Sequence, residues 1–298
     1  MILGRLLEVL RGKPFETVLR DHLLQPAGLD HTFCFPEDVV HRNVAAGHMP
    51  GADGKPAVAP IWVMGRANGP AGSIPFATMG DLAGLAEILL RRGVAANGTR
   101  ILSETAVAEM LTPQAVCPER DLLGDHWGLG VLIRDAEAPA VFGHDGNTIG
   151  QTSSLRFVPD RNLAYGVMAN REGANLAFSE LYREVVDPWS GVRTPALRPA
   201  DASVDISNRA ALPGVYQNVA AALTVADEDG KLTLRLRARR ETAQEIPTDP
   251  VELLPVDGTT FLGHFAMLGE SMPMTFLEPD ADGAPRYLHF GARLYRRT

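Results

Sequence analysis

Cysteine is scarce: Cys34 and Cys117 are the two among 298 residues, and they lie far apart with no Cys-x-x-Cys. That gives neither a disulfide framework nor a zinc-ligand spacing, so two ordinary buried or half-buried thiols are expected. Long apolar runs are missing as well. A membrane span needs ~18 apolar residues, and even the stretch around Leu85 to Leu90 is broken by Glu87. No signal-peptide core exists either, because Arg5, Glu8, Arg11 and Lys13 interrupt the first apolar residues. No membrane span and no export signal are therefore expected; as given the chain reads as cytoplasmic, with its compartment left unknown. Positive charge is in deficit. The 28 Lys and Arg against 36 Asp and Glu leave a formal net charge of -8, the wrong sign for a polyanion, so nucleic acid is not an expected partner. His22, His31, His41 and His48 show no His-x-x-x-His spacing, so no metal and no other cofactor is expected.

What is present suits a globular protein: 45% apolar and 21% charged residues. The length is about twice that of a typical domain of ~150 residues, which predicts two domains. Ile2, Leu3, Leu6, Leu7, Val9 and Leu10 follow a helical period up to Gly12 and Pro14. No capping residue precedes Ile2, which suggests missing preceding sequence. A second helix is expected from Pro14 to Leu24, closed by Pro26 and Gly28. Residues 30 to 76 read as a long irregular excursion of the kind that borders a site. Thr78 to Asp81 resembles a capping box opening a helix through Leu90, and Ser103 is expected to cap another through Met110.

After Pro118 the period changes. Trp127–Ile133, Val141–His144, Thr152–Val158 and Leu163–Ala169 are predicted strands, and Phe178, Leu181, Tyr182, Val185 and Val186 a helix ending at Asp187-Pro188. A polar, proline-containing stretch follows. Beyond it, eight short runs from Val215 to Tyr295, punctuated by Asp229-Gly230, Asp257-Gly258 and Asp282-Gly283, predict a small β-barrel or sandwich. Within it, Leu232, Leu234 and Leu236 alternate against Arg235, Arg237 and Arg239, a strand with one solvated face. Asp280 to Gly283 evokes a calcium loop but lacks the remaining ligands, so it reads as a hairpin turn.

The stretch most informative about chemistry is Val141-Phe142-Gly143-His144-Asp145-Gly146-Asn147-Thr148-Ile149-Gly150-Gln151, followed by the strand from Thr152 to Pro159. Together with Gly69-Pro70-Ala71-Gly72 and Trp127-Gly128-Leu129-Gly130, it resembles the serine β-lactamase-related hydrolases. These include class C β-lactamases, penicillin-binding-protein-like enzymes, D-aminopeptidases and esterases. The resemblance runs from residue 1 to about 188, as the C-terminal portion of the family domain, and implies acyl transfer through three motifs: Ser-x-x-Lys, Tyr-x-Asn, and Lys-Thr-Gly or His-x-Gly on an edge strand. His144-Asp145-Gly146 resembles the third. An imidazole there can attract a substrate carbonyl or carboxylate, and the glycine lets a substrate backbone lie along the strand. By resemblance, His144, Gly146 and Asn147 are the candidate catalytic residues, with the Asn147 N–H as an oxyanion donor. His144, Asp145, Gly146, Gly69 and Gly72 are the candidate substrate-binding residues. His126 reads as a strand-edge histidine rather than a base.

The other two motifs are not found. The three lysines, Lys13, Lys55 and Lys231, are preceded at the third position by Leu10, Ala52 and Glu228, so no Ser-x-x-Lys exists. The one Tyr-x-Asn, Tyr216-Gln217-Asn218, comes after His144 and opens the β-rich tail, where it reads as a decoy. No Gly-x-Ser-x-Gly supplies another nucleophile. The tail from Pro213 resembles the lipocalin-like β-domain appended to some of these hydrolases.

The expected architecture is thus α+β: residues 1–190, an incomplete β-lactamase/transpeptidase-like domain of antiparallel sheet and helices; 191–212, a linker; and 213–298, a small all-β barrel-like accessory domain. The expected function is a serine hydrolase, by family, of small-molecule amide or ester substrates. This chain is expected to be inactive alone, and whether it is an enzyme as it stands is left uncertain. The alternative is a non-catalytic ligand- or partner-binding remnant. The helix face of residues 82 to 90 and the strands of the 150s are expected to stay partly uncovered, favouring self-association or pointing to a missing N-terminal segment.

Overall fold

The computed structural model describes residues 1–51, 55–72, 75–238, 249–266 and 270–298. The chain divides into two compact units: Met1–Ala115 with His126–Thr194, and Val116–Asp125 with Pro195–Thr298. In chain order, the elements up to Ser190 are helices α1 (Ile2–Arg11), α2 (Phe15–Leu19), α3 (Gln25–Ala27) and α4 (Pro36–Val39). A small hairpin, β1 (His48–Pro50) and β2 (Pro56–Val58), precedes helices α5 (Met79–Leu90) and α6 (Glu104–Met110). Then come β3 (Ala115–Val116), α7 (Arg120–Leu123), β4 (His126–Trp127), β5 (Leu132–Arg134), β6 (Val141–Thr148), β7 (Gln151–Val158) and β8 (Leu163–Ala169). Helices α8 (Asn175–Leu181) and α9 (Asp187–Ser190) follow. Strands β3 to β8 form one sheet in sequence order, with β4 to β8 antiparallel to their neighbours.

Side-chain alternation along these strands supplies two apolar faces. On one, Phe142, Leu155, Phe157 and Ile133 pack with Ala86 and Leu89 of α5 and Val107 of α6. On the other, Leu163, Tyr165 and Val167 meet Phe178, Tyr182 and Val186. The inner face of α5 and the strands of the 150s therefore cover each other in large part, with Leu82, Leu85 and Leu90 half-buried, against the expectation of partly uncovered faces. Helix α1 carries an uncovered apolar surface, where Ile2, Leu3, Val9 and Leu10 are 88%, 73%, 64% and 69% exposed.

Local signals explain most element ends. The Thr78 side chain accepts from the Asp81 N–H at 3.3 Å, and Ser103 accepts from the Ala106 N–H at 3.0 Å. The capping box is only half formed, because the buried Asp81 carboxylate turns away from the helix end to accept from the His31 N–H and the Thr32 hydroxyl. Both helices expected to stop at proline run through it. A π-helical turn at Arg20–Leu24 carries α2 into α3 across Pro26, and one at Tyr182–Val186 carries α8 into α9 across Pro188. The wide turn ahead of each ring loosens the ladder that proline would otherwise break. The run expected from Trp127 to Ile133 is two strands instead. Gly128 donates to the Val131 carbonyl at 2.8 Å and Gly130 adopts φ +77, forming a turn between β4 and β5.

In the second unit, strands β9 (Gly214–Gln217), β10 (Ala221–Glu228), β11 (Lys231–Ala238), β12 (Val251–Pro255), β13 (Thr260–Phe265), β14 (Glu270–Pro279), β15 (Pro285–Phe290) and β16 (Arg293–Arg297) close into an eight-stranded antiparallel barrel. Tyr216, Leu223, Leu232, Leu234, Phe261 and Met274 fill its interior. Tyr216, the first residue of the misplaced Tyr-x-Asn, is wholly buried and donates its hydroxyl to the Leu212 carbonyl at 2.8 Å, a core role. Arg235 points outward between buried Leu234 and half-buried Leu236, as the alternation requires; Arg239 lies outside the described residues. Asp280 accepts from the N–H groups of Asp282 and Ala284, which makes that segment a turn. Residues of the expected linker associate with defined partners: Val192 joins Val141 and Val158, and Leu212 enters the barrel core.

Candidate active-site wall

The candidate residues His144 to Asn147 lie on β6, whose register with β7 pairs His144 with Leu155, Asp145 with Ser154, Gly146 with Ser153 and Asn147 with Thr152. A two-residue turn at Ile149–Gly150, with Gly150 at φ +69, closes this hairpin. On its other side β6 pairs with β5 only from Val141 to Gly143. Among the described residues, the flank of β6 from His144 to Thr148 that faces away from β7 thus has no strand partner. His144 and Asn147 are both exposed there. The imidazole of His144 meets the Trp127 ring edge to face, with centroids 5.5 Å apart and planes at 73°. The Asn175 side-chain amide reaches the Asn147 side-chain oxygen at 3.5 Å.

Gly146 shares its face of the sheet with His144. A Cβ at Gly146 would come within 2.5 Å of the Ser153 hydroxyl, the mobile end of a small side chain. Asp145 points the other way. Both its oxygens are taken by buried Arg156, Nη1 to Oδ1 at 2.7 Å and Nη2 to Oδ2 at 2.9 Å, so it is engaged behind the strand rather than offered beside His144. Burial pushes the Asp145 carboxyl up, and the Arg156 guanidinium outweighs burial to hold it below the usual carboxylate range. Tyr165 and Tyr182 pack edge to face at 4.8 Å behind the same strands, and burial pushes the Tyr165 phenol up to about 12.

Gly69 and Gly72 lie on a different element from β6. They belong to the 3-10 turn Arg66–Ala71 and its left-handed cap, with the Gly72 N–H donating to the Gly69 carbonyl at 3.0 Å. Gly69 lines a separate hollow of about 360 Å³ with Gly4, Phe15, Cys34, Phe35 and Pro70, and none of residues 144–147 lines it. His126 pairs its Nδ1 with Asp135 at 2.7 Å at the sheet edge. Among the described residues, no group of three His, Cys, Asp or Glu is placed to hold a metal ion, and no helix is long and apolar enough to cross a membrane.

Sequence reasoning placed Trp127 and Arg156 within the stretches that carry the resemblance but gave neither a role at this site. Arg156 carried one signal: a lone charge inside the otherwise apolar run from Leu155 to Val158. Trp127 reaches His144 only through the turn that folds β4 back on β5.

This arrangement, an antiparallel sheet with helices on both faces, is a β-lactamase-like fold. The chain belongs to the Beta-lactamase family, whose sequence profile matches residues 1–187. Penicillin-binding protein 4 of Amycolatopsis lactamdurans is 34% identical over 218 residues, covering 72% of this chain and 57% of that protein. The crystal structure of SurE matches all of this chain and 66% of its own, with 25% identity and a TM-score of 0.72. An octameric penicillin-binding protein homologue from Pyrococcus abyssi shares the fold at 19% identity and a TM-score of 0.56, over 99% of this chain and 62% of its own. The chain thus spans between about half and two thirds of the length of these relatives.

Proposed function

We propose that residues 1–190 carry the third-motif wall of an acyl-transfer site for amide or ester substrates, and that residues 213–298 are an accessory barrel. The observation that carries this reading is the open flank of β6. Because Thr148 and Gln151 close a two-residue turn as a hydrogen-bonded pair, alternation along the ladder directs the Asn147 N–H toward the unpaired flank. A substrate could add to that flank as an extended segment, its carbonyl polarised by the Asn147 N–H and its carboxylate or carbonyl met by His144. Gly146 keeps the approach clear, and the Trp127 ring holds the imidazole on that side.

A wall is not a catalyst. Without a Ser-x-x-Lys to supply an attacking hydroxyl and its base, donors of this kind retain only weak residual stabilisation, and this chain by itself does not turn over. Incubation with a chromogenic cephalosporin, a short-chain nitrophenyl ester and a fluorophosphonate probe tests this. No turnover and no covalent label are expected; a labelled serine would overturn the reading.

A further inference from the structure

The pair behind the motif has a construction that ordinary packing does not require. Asp145 and Arg156 are not opposite each other: Arg156 stands across from Gly143, and Asp145 across from Ser154. The Arg156 stem lies over Gly143, where an added Cβ would sit 2.9 Å from its Cδ and would overlap the Leu155 carbonyl oxygen. From there the guanidinium runs two residues along β6 and closes a two-pronged bond on Asp145, while Nη1 also donates to the Leu155 carbonyl at 2.9 Å. The pair sits among Tyr165, Tyr182 and buried Ser154. A buried ion pair in such surroundings adds little net stability over apolar side chains of similar volume, because two charges must be desolvated. What it can supply is a single register.

We propose that Gly143, Asp145 and Arg156 form a register lock whose task is to position His144 and Asn147, making Arg156 a positioning residue for the site; this rests on the reading of the β6 flank given above. The reasoning is geometric. A one-residue slip of β6 against β7 exchanges its two faces, placing Asp145 against the apolar layer of Leu155 and Phe157 and turning His144 to the back. Only the observed register gives the guanidinium stem the bare Gly143 to lie on and a carboxylate two residues further along. The fork is planar and rigid, so it fixes both distance and orientation, which a lysine at the same position would not do. Front and back of the strand are thereby tied: Gly143 and Asp145 are held so that His144 and Gly146 face the other way.

The test uses the full chain with 13C-labelled histidine and 15N-labelled backbone, in wild type, R156K and the D145N/R156M double variant, with the His144 signal assigned by H144Q. In wild type the Trp127 ring shifts the His144 ring signal. In the double variant that shift is expected to be lost, and amide exchange at Gly146, whose N–H is bonded across the ladder to Ser153, to rise at least about tenfold, while the melting temperature stays close to wild type. R156K, which keeps the charge but not the fork, is expected to fall between the two. A His144 shift and a Gly146 exchange rate as in wild type, in either variant, would overturn the lock. Should the double variant fail to fold, R156K decides by the same two readouts. Benzylpenicillin added to the wild-type chain separates this proposal from the one beneath it. If the His144 signal ignores the ligand while the variants still lose the ring shift, the lock stands and the site reading fails.

Discussion

Gly143→Ala and Gly146→Ala differ by three positions on one strand and should differ sharply in cost. At Gly143 the added methyl would overlap the Leu155 carbonyl oxygen, a backbone atom of the paired strand, and press on Arg156 Cδ at 2.9 Å. Neither can yield without parting β6 from β7 or breaking the Asp145 fork. Overpacking of this kind costs about 1–3 kcal/mol, and the backbone clash places Gly143→Ala at the upper end, about 3 kcal/mol. For a unit of this size, that lowers the melting temperature by about 6–12 °C. At Gly146 the one close atom is the Ser153 hydroxyl, at 2.5 Å, with its Cβ next at 3.9 Å. Rotation of Ser153 relieves the contact, and the reduced freedom of the unfolded chain returns about 0.4–1 kcal/mol, so Gly146→Ala should melt within about 3 °C of wild type. Circular dichroism melts of the full chain, followed at the helical signal of the first unit, measure both. Equal shifts, or a larger loss at Gly146, would refute the assignment of the register and of which face each glycine occupies.

Three further outcomes follow from the same contacts. Asp145→Asn leaves Arg156 buried without its charge partner and should cost about 3–5 kcal/mol at neutral pH. Because the Asp145 carboxyl titrates below its ordinary range, the stability it contributes is complete above about pH 4 and is lost as pH falls toward the lowered value, so the gap between variant and wild type in urea melts should close in acid. Glu172 behaves in the opposite sense. Burial raises its carboxyl above the ordinary 4.5 despite a hydrogen bond from the Gly150 N–H, and Oε2 has no hydrogen-bond partner among the described residues, so its contribution is present below about pH 4.5 and is lost as pH rises through the raised value. Glu172→Gln should therefore melt higher than wild type at pH 7.5, with the gain shrinking in acid. Tyr216→Phe removes the hydroxyl bonded to the Leu212 carbonyl inside the barrel and should destabilise by about 1–3 kcal/mol, read in the unfolding transition of the barrel.

The elements legible in the sequence were those set by local rules. All eight barrel strands follow from alternation such as Leu232, Leu234 and Leu236 and from turn dipeptides such as Asp229-Gly230, because a half-buried strand writes its period into the chain. The caps at Thr78 and Ser103 were legible for the same reason. Helices continuing through Pro26 and Pro188 were not, since a π turn has no side-chain signature of its own. Nor was the turn of Asp81 away from its helix end to its partners His31 and Thr32, some fifty residues away. At the site, the run His144-Asp145-Gly146 was visible as a motif, but the division of labour within it was not. That Asp145 belongs to Arg156 depends on the pairing of β6 with β7, and a sequence shows register only after both strands have been placed.

The central claim, that the open flank of β6 is the wall of an acyl-transfer site, is tested most directly by titrating the 13C-histidine, 15N-labelled chain with a non-hydrolysable phosphonate analogue of a short acyl ester and mapping the shifts. The account requires saturable movement of the His144 ring and the Asn147 amide, abolished by Gly146→Val. Movement confined to the hollow beside Phe15 and Phe35, with His144 and Asn147 unchanged at saturation, would contradict it.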